Sequence, residues 1–326
     1  MSRRSRANST FHGRNLCDMV RHRVRIGHTA RGIERSHLEI QKAGRNASRS
    51  PEAFRSFDRA RRKVVEQINA RSILSPATGF IRRGGFDWTC NPYVGCSFGC
   101  TYCYAMFLPQ NRRPREDWGK WFQAKINALE LARRQAPKVA GRSVYLSSVT
   151  DPYLPAERSL GLTRGILEAL LPYQPRLLVQ TRGPLVARDL DVLVRFRSVR
   201  VNLSIPTDSE SVRRAFEPKA PSLEPRWQAL DRVRAAGVST GICITPMLPL
   251  ENADGFVRRI AAFAPDVVVT QHFHDSGGGF GADTGLAARS LLARNRWTED
   301  DYRRCLAMLR DRRTVYEAEA GFFPPS

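Results

Sequence analysis

Cys96-Ser97-Phe98-Gly99-Cys100-Thr101-Tyr102-Cys103-Tyr104 sets three thiols in C-x3-C-x2-C spacing. On a loop that follows a strand, this spacing lets three thiolates converge on one small inorganic centre, as cysteine ligation of an iron–sulfur cluster requires. The count of three is informative. A four-iron cube held by three protein thiolates keeps one iron open to a ligand that the protein does not supply, and an open metal position marks a reactive site. Other readings use the same residues. With Cys90 as a fourth thiolate the loop would close a tetrahedral structural zinc site, and a disulfide pair is a further alternative. Structural zinc sites usually join two separated knuckles, whereas this chain has one cysteine cluster. Its seven cysteines lie behind no secretory leader and in no regular framework, which weighs against disulfides.

Working outward, 326 residues suit one large domain, and the 42% hydrophobic content is enough for a substantial core. No run of eighteen apolar residues occurs and the basic N-terminus has no apolar stretch, so a membrane span and a secretory signal are not expected. The expected location is the cytoplasm, where thiols and an oxygen-sensitive cluster stay reduced. The net charge of +22 is uneven: residues 1–86 hold 20 Lys and Arg against 6 Asp and Glu. A basic arm on a more moderate body is attracted to polyanions, nucleic acid first, although it also serves solubility. Residues 1–50, rich in Arg, Ser, His and Asn, have little sustained period and read as largely disordered. A basic helix is predicted over 51–70.

Beyond the cysteine loop, apolar patterning alternates between helical and strand periods, the mark of parallel β/α units. Strands are predicted within 79–91 and over 143–147, 176–180, 199–205, 239–245 and 267–270. Helices are predicted over 118–134, 162–171, 185–196, 223–236, 253–263 and 298–312, the last capped by Thr298. Gly277-Gly278-Gly279-Phe280-Gly281 reads as a flexible loop. The core domain is thus expected over 71–315, after a basic extension of 1–70 and before a C-terminal tail of 316–326.

The cysteine loop resembles that of the radical SAM superfamily. Arg71-Ser72-Ile73-Leu74 and Trp88-Thr89-Cys90-Asn91-Pro92-Tyr93 are similar to the subgroup of spore photoproduct lyase. The resemblance implies an open partial (β/α)6 TIM-type barrel. It also implies a [4Fe–4S] cluster on Cys96, Cys100 and Cys103, with S-adenosylmethionine chelated to the free iron and cleaved reductively to a 5′-deoxyadenosyl radical. An external one-electron donor, flavodoxin or ferredoxin, is implied as well.

In such barrels functional residues gather at the C-terminal ends of strands. By the resemblance, Ser148, Thr150 and Asp151 after the second strand meet the methionyl ammonium. Ser204, Arg214, Glu217 and Arg226, after the fourth, meet the ribose and carboxylate; the planar fork of an Arg suits a carboxylate. Met247, after the fifth, meets the adenine, as does Tyr102. His272 and His274 point to one side of an extended strand after the sixth. Tyr102 and Tyr104 flank the third cysteine as the radical-quenching tyrosines of the lyase do. The lyase's hydrogen-donating cysteine does not carry over, because its place reads Ser148, whose O–H bond is too strong to replace a thiol. That departure separates this chain from dimer repair; Cys90 and Cys243 are the remaining thiols to consider. The alternative in a different class is a zinc-stabilised nucleic-acid-binding protein without catalysis.

Overall fold

The computed structural model describes residues 65–108, 111, 113–273 and 285–326. Most of the basic extension, His274 and the Gly277–Gly281 loop lie outside the described residues. Eleven strands are present among the described residues: β1 (Glu66–Ile68), β2 (Leu74–Pro76), β3 (Trp88–Cys90), β4 (Tyr93–Gly95), β5 (Phe122–Lys125), β6 (Ser143–Leu146), β7 (Arg176–Thr181), β8 (Val199–Ser204), β9 (Ser239–Ile244), β10 (Val267–Thr270) and β11 (Val315–Glu317). Eight form one sheet in the order β11-β10-β9-β8-β7-β6-β3-β2. All neighbours pair in parallel except β2, which runs antiparallel to β3. β2 and β11 do not meet, so the barrel is partial and open. The six predicted strands are its β3 and β6–β10.

The pleat assigns the two faces of this sheet, because alternate residues of a strand point to opposite sides. Val144, Leu146, Leu177, Val179, Val201, Leu203, Ile242, Ile244 and Val268 share one apolar cluster with Leu131, Ile166, Leu230, Val257 and Leu306 of the surrounding helices. The intervening residues Tyr145, Leu178, Cys243, Val267 and Val269 belong to a second cluster on the concave side. Both faces are covered, and all six residues of β8 are buried. A strand enclosed on both sides can read as a nearly continuous apolar run, as Val267–Thr270 does, while β8 alternates apolar residues with the buried Arg200, Asn202 and Ser204.

The C-terminal segment closes the concave side from below. Phe322 packs on Tyr145, whose ring also meets Phe86 at 5.1 Å. Arg200, at the start of β8, donates to the Phe323 carbonyl at 2.6 Å and lays its guanidinium 4.6 Å from the Phe323 ring. Ser198 donates to the Pro325 carbonyl at 3.0 Å. Residues 316–326, read from sequence as a tail, therefore supply an edge strand and a floor. Gly84 is required here, since a Cβ would stand 2.3 Å from the Phe322 carbonyl.

Two segments differ from their sequence reading for tertiary reasons. Phe122–Lys125, expected inside a helix over 118–134, is a strand because it pairs with both β1 and β4, and the helix begins at Ala128. Glu66–Ile68, expected in the 51–70 helix, is the partner β1. Between this small sheet and the main one, Arg71-Ser72-Ile73-Leu74 is held by two amides. Gln135 accepts from the Ile73 and Leu74 backbone at 3.1 and 3.0 Å, and Asn127 exchanges two 2.9 Å bonds with Ala70. The predicted 185–196 helix is a 3-10 segment, Pro184–Asp189, running into the short helix Leu190–Leu193. The helix Leu286–Arg294 carries no prediction above.

Candidate functional site

The cysteine loop leaves β4 at Gly95, whose φ of +71° is left-handed and whose missing side chain admits the Trp121 ring. It turns again at Gly99 (φ +66°), packed so closely on Gly119 that a Cβ on Gly119 would lie 2.4 Å from the Gly99 Cα. The loop is then tied to the segments that follow β6 and β8. Thr150 donates to the Gly95 carbonyl at 2.6 Å, Thr101 N–H to the Phe216 carbonyl at 2.9 Å, and Lys219 N–H to the Phe98 carbonyl at 3.3 Å. Three thiols are thereby carried to the C-terminal ends of β6, β7 and β8.

Cys96 and Cys100 are buried, Cys103 is half-buried, and all are free thiols. Burial pushes Cys96 up to about 12 and raises Cys100 and Cys103 as well. Cys103 raises both other thiols further, and Cys96 raises Cys100. Cys90 stands apart. It sits on the helix side of β3 in the core, where burial pushes it up to about 12 and the charge acting on it is that of Lys125. Among the described residues, no three His, Cys, Asp or Glu side chains are drawn together closely enough to hold a single metal ion.

Beneath the loop lies a buried ionic chain. Glu217 and Arg226 are both 0% exposed. Arg226 Nη2 donates to Glu217 Oε2, Arg226 Nη1 to the Ser204 carbonyl at 2.9 Å, and Nη2 also to the Pro221 carbonyl at 2.7 Å. Glu217 Oε1 accepts from the Tyr102 hydroxyl and, at 2.9 Å, from Arg182 Nη1. That same Arg182 nitrogen donates to Cys100 Sγ and lies 3.3 Å from the Tyr102 hydroxyl. Burial alone would raise the Glu217 carboxyl, but Arg226 and Arg182 outweigh it and hold the group below the usual range.

The structure brings most of the predicted residues to this region, in varied roles. Tyr102 is buried in the ionic chain, with its ring edge-on to Phe273 at 6.2 Å. Tyr104 donates its hydroxyl to the Ser148 carbonyl, so those two positions adjoin. Asp151 is turned into the protein: its oxygens accept from Thr181 Oγ1 at 2.7 Å and from the backbone of Tyr153 and Arg182 at 2.9 Å each. It latches the ends of β6 and β7 together and has little capacity left for a ligand's ammonium. Ser204 lies on the concave face, where its hydroxyl accepts from Gln180 Nε2 at 3.1 Å. Arg214 is exposed on the helix Glu210–Phe216 and is not brought to the thiols; its neighbour Arg213 turns inward to the Glu217 and Ala220 carbonyls. Met247 is 0% exposed within the main core cluster and acts as core packing. His272 stands over the Tyr302 ring at 5.3 Å, in an open cavity of about 670 Å³ beside the ends of β10 and β11.

Arg182 is the functional candidate the sequence reading misses. It directly follows β7, the third of the six predicted strands, at a strand end for which no site residue is predicted. The same strand-end rule points to it. Gln180 and Cys243, joined by a 3.4 Å bond from Sγ to Oε1, are also on the concave side.

Comparison with known proteins agrees with this geometry. The sequence pattern of the radical SAM superfamily matches residues 90–261. An uncharacterized protein of Methanocaldococcus jannaschii is 33% identical over 185 residues, 57% of this chain and 68% of its own length. A radical SAM Nα-GlyT isomerase of Pseudomonas phage M6 is 26% identical over 160 residues, 48% of this chain and 32% of its own. Among solved structures, spore photoproduct lyase complexed with a dinucleoside spore photoproduct superposes with a TM-score of 0.53 at 15% identity, covering 77% of this chain and 80% of the other. That likeness is one of fold.

Proposed function

This chain belongs to the radical SAM superfamily, and from that premise we propose that it holds a [4Fe–4S] cluster on Cys96, Cys100 and Cys103 and acts with S-adenosylmethionine on a nucleic-acid substrate. The observation that carries the reading is the set of three free thiols on one loop above the strand ends, with Cys90 apart from it on β3 in the core. The donor set fits the group: thiolates are the ligands such clusters take, and three of them leave one iron open. Two loop hydroxyls, Ser97 Oγ and Thr101 Oγ1, are buried without a hydrogen-bond partner, which leaves the loop polar capacity that its own atoms do not use. When bound, the reduced cluster and S-adenosylmethionine supply a radical that takes a hydrogen atom from the substrate.

This chain's own residues prepare the place for that chemistry. The Arg226–Glu217–Arg182 chain fixes the base of the cysteine loop, while Gln180 holds Ser204 on the concave face. Tyr102 and Phe273 wall the loop with aromatic surface. The floor of Phe322, Phe86 and Tyr145 keeps water from entering below, which protects a reactive species from side reactions. Ser148, in place of a donor thiol, leads us to infer an outcome other than dimer repair.

Nucleic acid is supported as substrate class by the charge concentrated in residues 1–86, and by the dinucleoside bound to the lyase of similar fold. An acidic flavodoxin or ferredoxin is the electron donor we propose. The test is anaerobic reconstitution with iron and sulfide, dithionite reduction, and chromatography for 5′-deoxyadenosine from added S-adenosylmethionine. Product formation that disappears in Cys100→Ala supports the reading; a fully loaded cluster that yields none contradicts it. For the substrate, deleting residues 1–60 is expected to weaken nucleic-acid binding and flatten its salt dependence. Unchanged binding at low salt would remove the arm from that role.

A further inference from the structure

Arg226, Glu217 and Arg182 form a buried chain of alternating sign, and the buried Asp151 carboxylate acts on Arg182 as a second negative charge, so the four groups balance. Arg226 is fully enclosed and committed to Glu217, Ser204 and Pro221. Both oxygens of Glu217 are occupied, one by Arg226 and the other by Tyr102 and Arg182. Arg182 is anchored from behind, its backbone N–H held by Asp151 at 2.9 Å, and its side chain is 18% exposed. The end of the chain that reaches the thiols is therefore Arg182, where Nη1 meets Cys100 Sγ. Replacing a buried ion pair by apolar residues is often neutral or stabilising, so stability alone is a weak reason for such a chain.

We propose that Arg182 is a positioning residue that donates a charge-assisted hydrogen bond to the Cys100 thiolate and raises the reduction potential of the cluster held there, with Glu217 setting how much of its charge the cluster feels. This rests on the cluster assignment above. The physical ground is that adding an electron makes a cluster more negative. A donor and a positive charge at a ligating sulfur stabilise that reduced form more than the oxidised one. Glu217 accepts from the same Arg182 Nη1 that meets Cys100 and offsets part of its charge. Neutralising either partner therefore moves the potential in opposite directions, which a role limited to holding the loop would not do.

The experiment is a potentiometric titration of anaerobically reconstituted full-length protein without S-adenosylmethionine, following the reduced cluster by electron paramagnetic resonance, with iron and sulfide counted per chain. Arg182→Gln is expected to lower the reduction equilibrium constant about tenfold, which is about 59 mV for one electron. Glu217→Gln is expected to shift it upward, and Arg182→Lys to keep most of the native value. An unmoved potential in Arg182→Gln, or a Glu217→Gln shift in the same direction, would overturn the proposal. Should Arg182→Gln assemble no cluster, the direction of the Glu217→Gln shift decides alone. A wild-type protein that binds no cluster would instead refute the assignment beneath it.

Discussion

The two ends of the concave face are built in opposite ways. At the N-terminal ends of the strands, the chain closes the barrel with its own residues: Phe322 on Tyr145, and Phe323 on Arg200. At the C-terminal ends the lining turns polar and charged, through Gln180, Arg182, Ser204, Glu217 and Arg226, with three free thiols on the loop above. A closed apolar end needs nothing further. A charged end at which Arg182 donates to a free thiol suits a guest, and that difference is why the proposed site is assigned to this end.

The largest expected effect comes from breaking the charged end. Arg226→Leu leaves Glu217 enclosed with one of its two Arg partners, and removing one partner of a buried pair costs about 3–5 kcal/mol. Urea unfolding of the variant measures it; a loss under 1 kcal/mol would mean that the chain is not the structural base of the loop. At the closed end, Phe322→Ala is expected to cost about 3 kcal/mol by the same assay, with iron content per chain unchanged. Loss of iron in that variant would erase the separation of the two ends.

The smallest effect sharpens the comparison through pH. Asp87, at the lower end of the sheet, is held below its usual value chiefly by the Ser143 backbone N–H at 2.9 Å. A lowered carboxyl contributes stability that is present above its unfolded value and lost as pH falls through the folded one. The floor should therefore weaken below about pH 4. Asp87→Asn is expected to flatten the acid limb of the stability profile. An unaltered limb would assign the acid sensitivity elsewhere.

How much of this was legible depends on how local each cause is. Among the β6–β10 strands, enclosure on two faces leaves apolar runs such as Val267–Thr270, whereas β8 reads by alternation, Val199, Val201 and Leu203 against Arg200, Asn202 and Ser204. Thr298 was legible as a cap, and it makes the reciprocal bonds with Asp301. The three thiols declare themselves by spacing. What stayed hidden is long-range. Phe322-Phe323-Pro324-Pro325 has the look of a tail until Arg200 and Tyr145 are seen to need it, and Phe122–Lys125 carries a helical pattern that pairing with two strands overrides. Arg214 and Arg213 are adjacent in sequence, and only packing shows which one turns inward. Arg182 stood at a strand end like the others, but nothing local distinguishes it from a surface arginine; its partners Cys100 and Glu217 are 82 and 35 residues away.

The central claim is that Cys96, Cys100 and Cys103 form one metal-holding set from which Cys90 is excluded. The most direct measurement is iron and zinc per chain, with the visible absorption spectrum, for anaerobically reconstituted Cys90→Ala beside Cys100→Ala. The account predicts that Cys90→Ala keeps four irons and the brown charge-transfer absorption, while Cys100→Ala loses both. Loss of all metal in Cys90→Ala, or a colourless wild-type protein carrying one zinc, would contradict it.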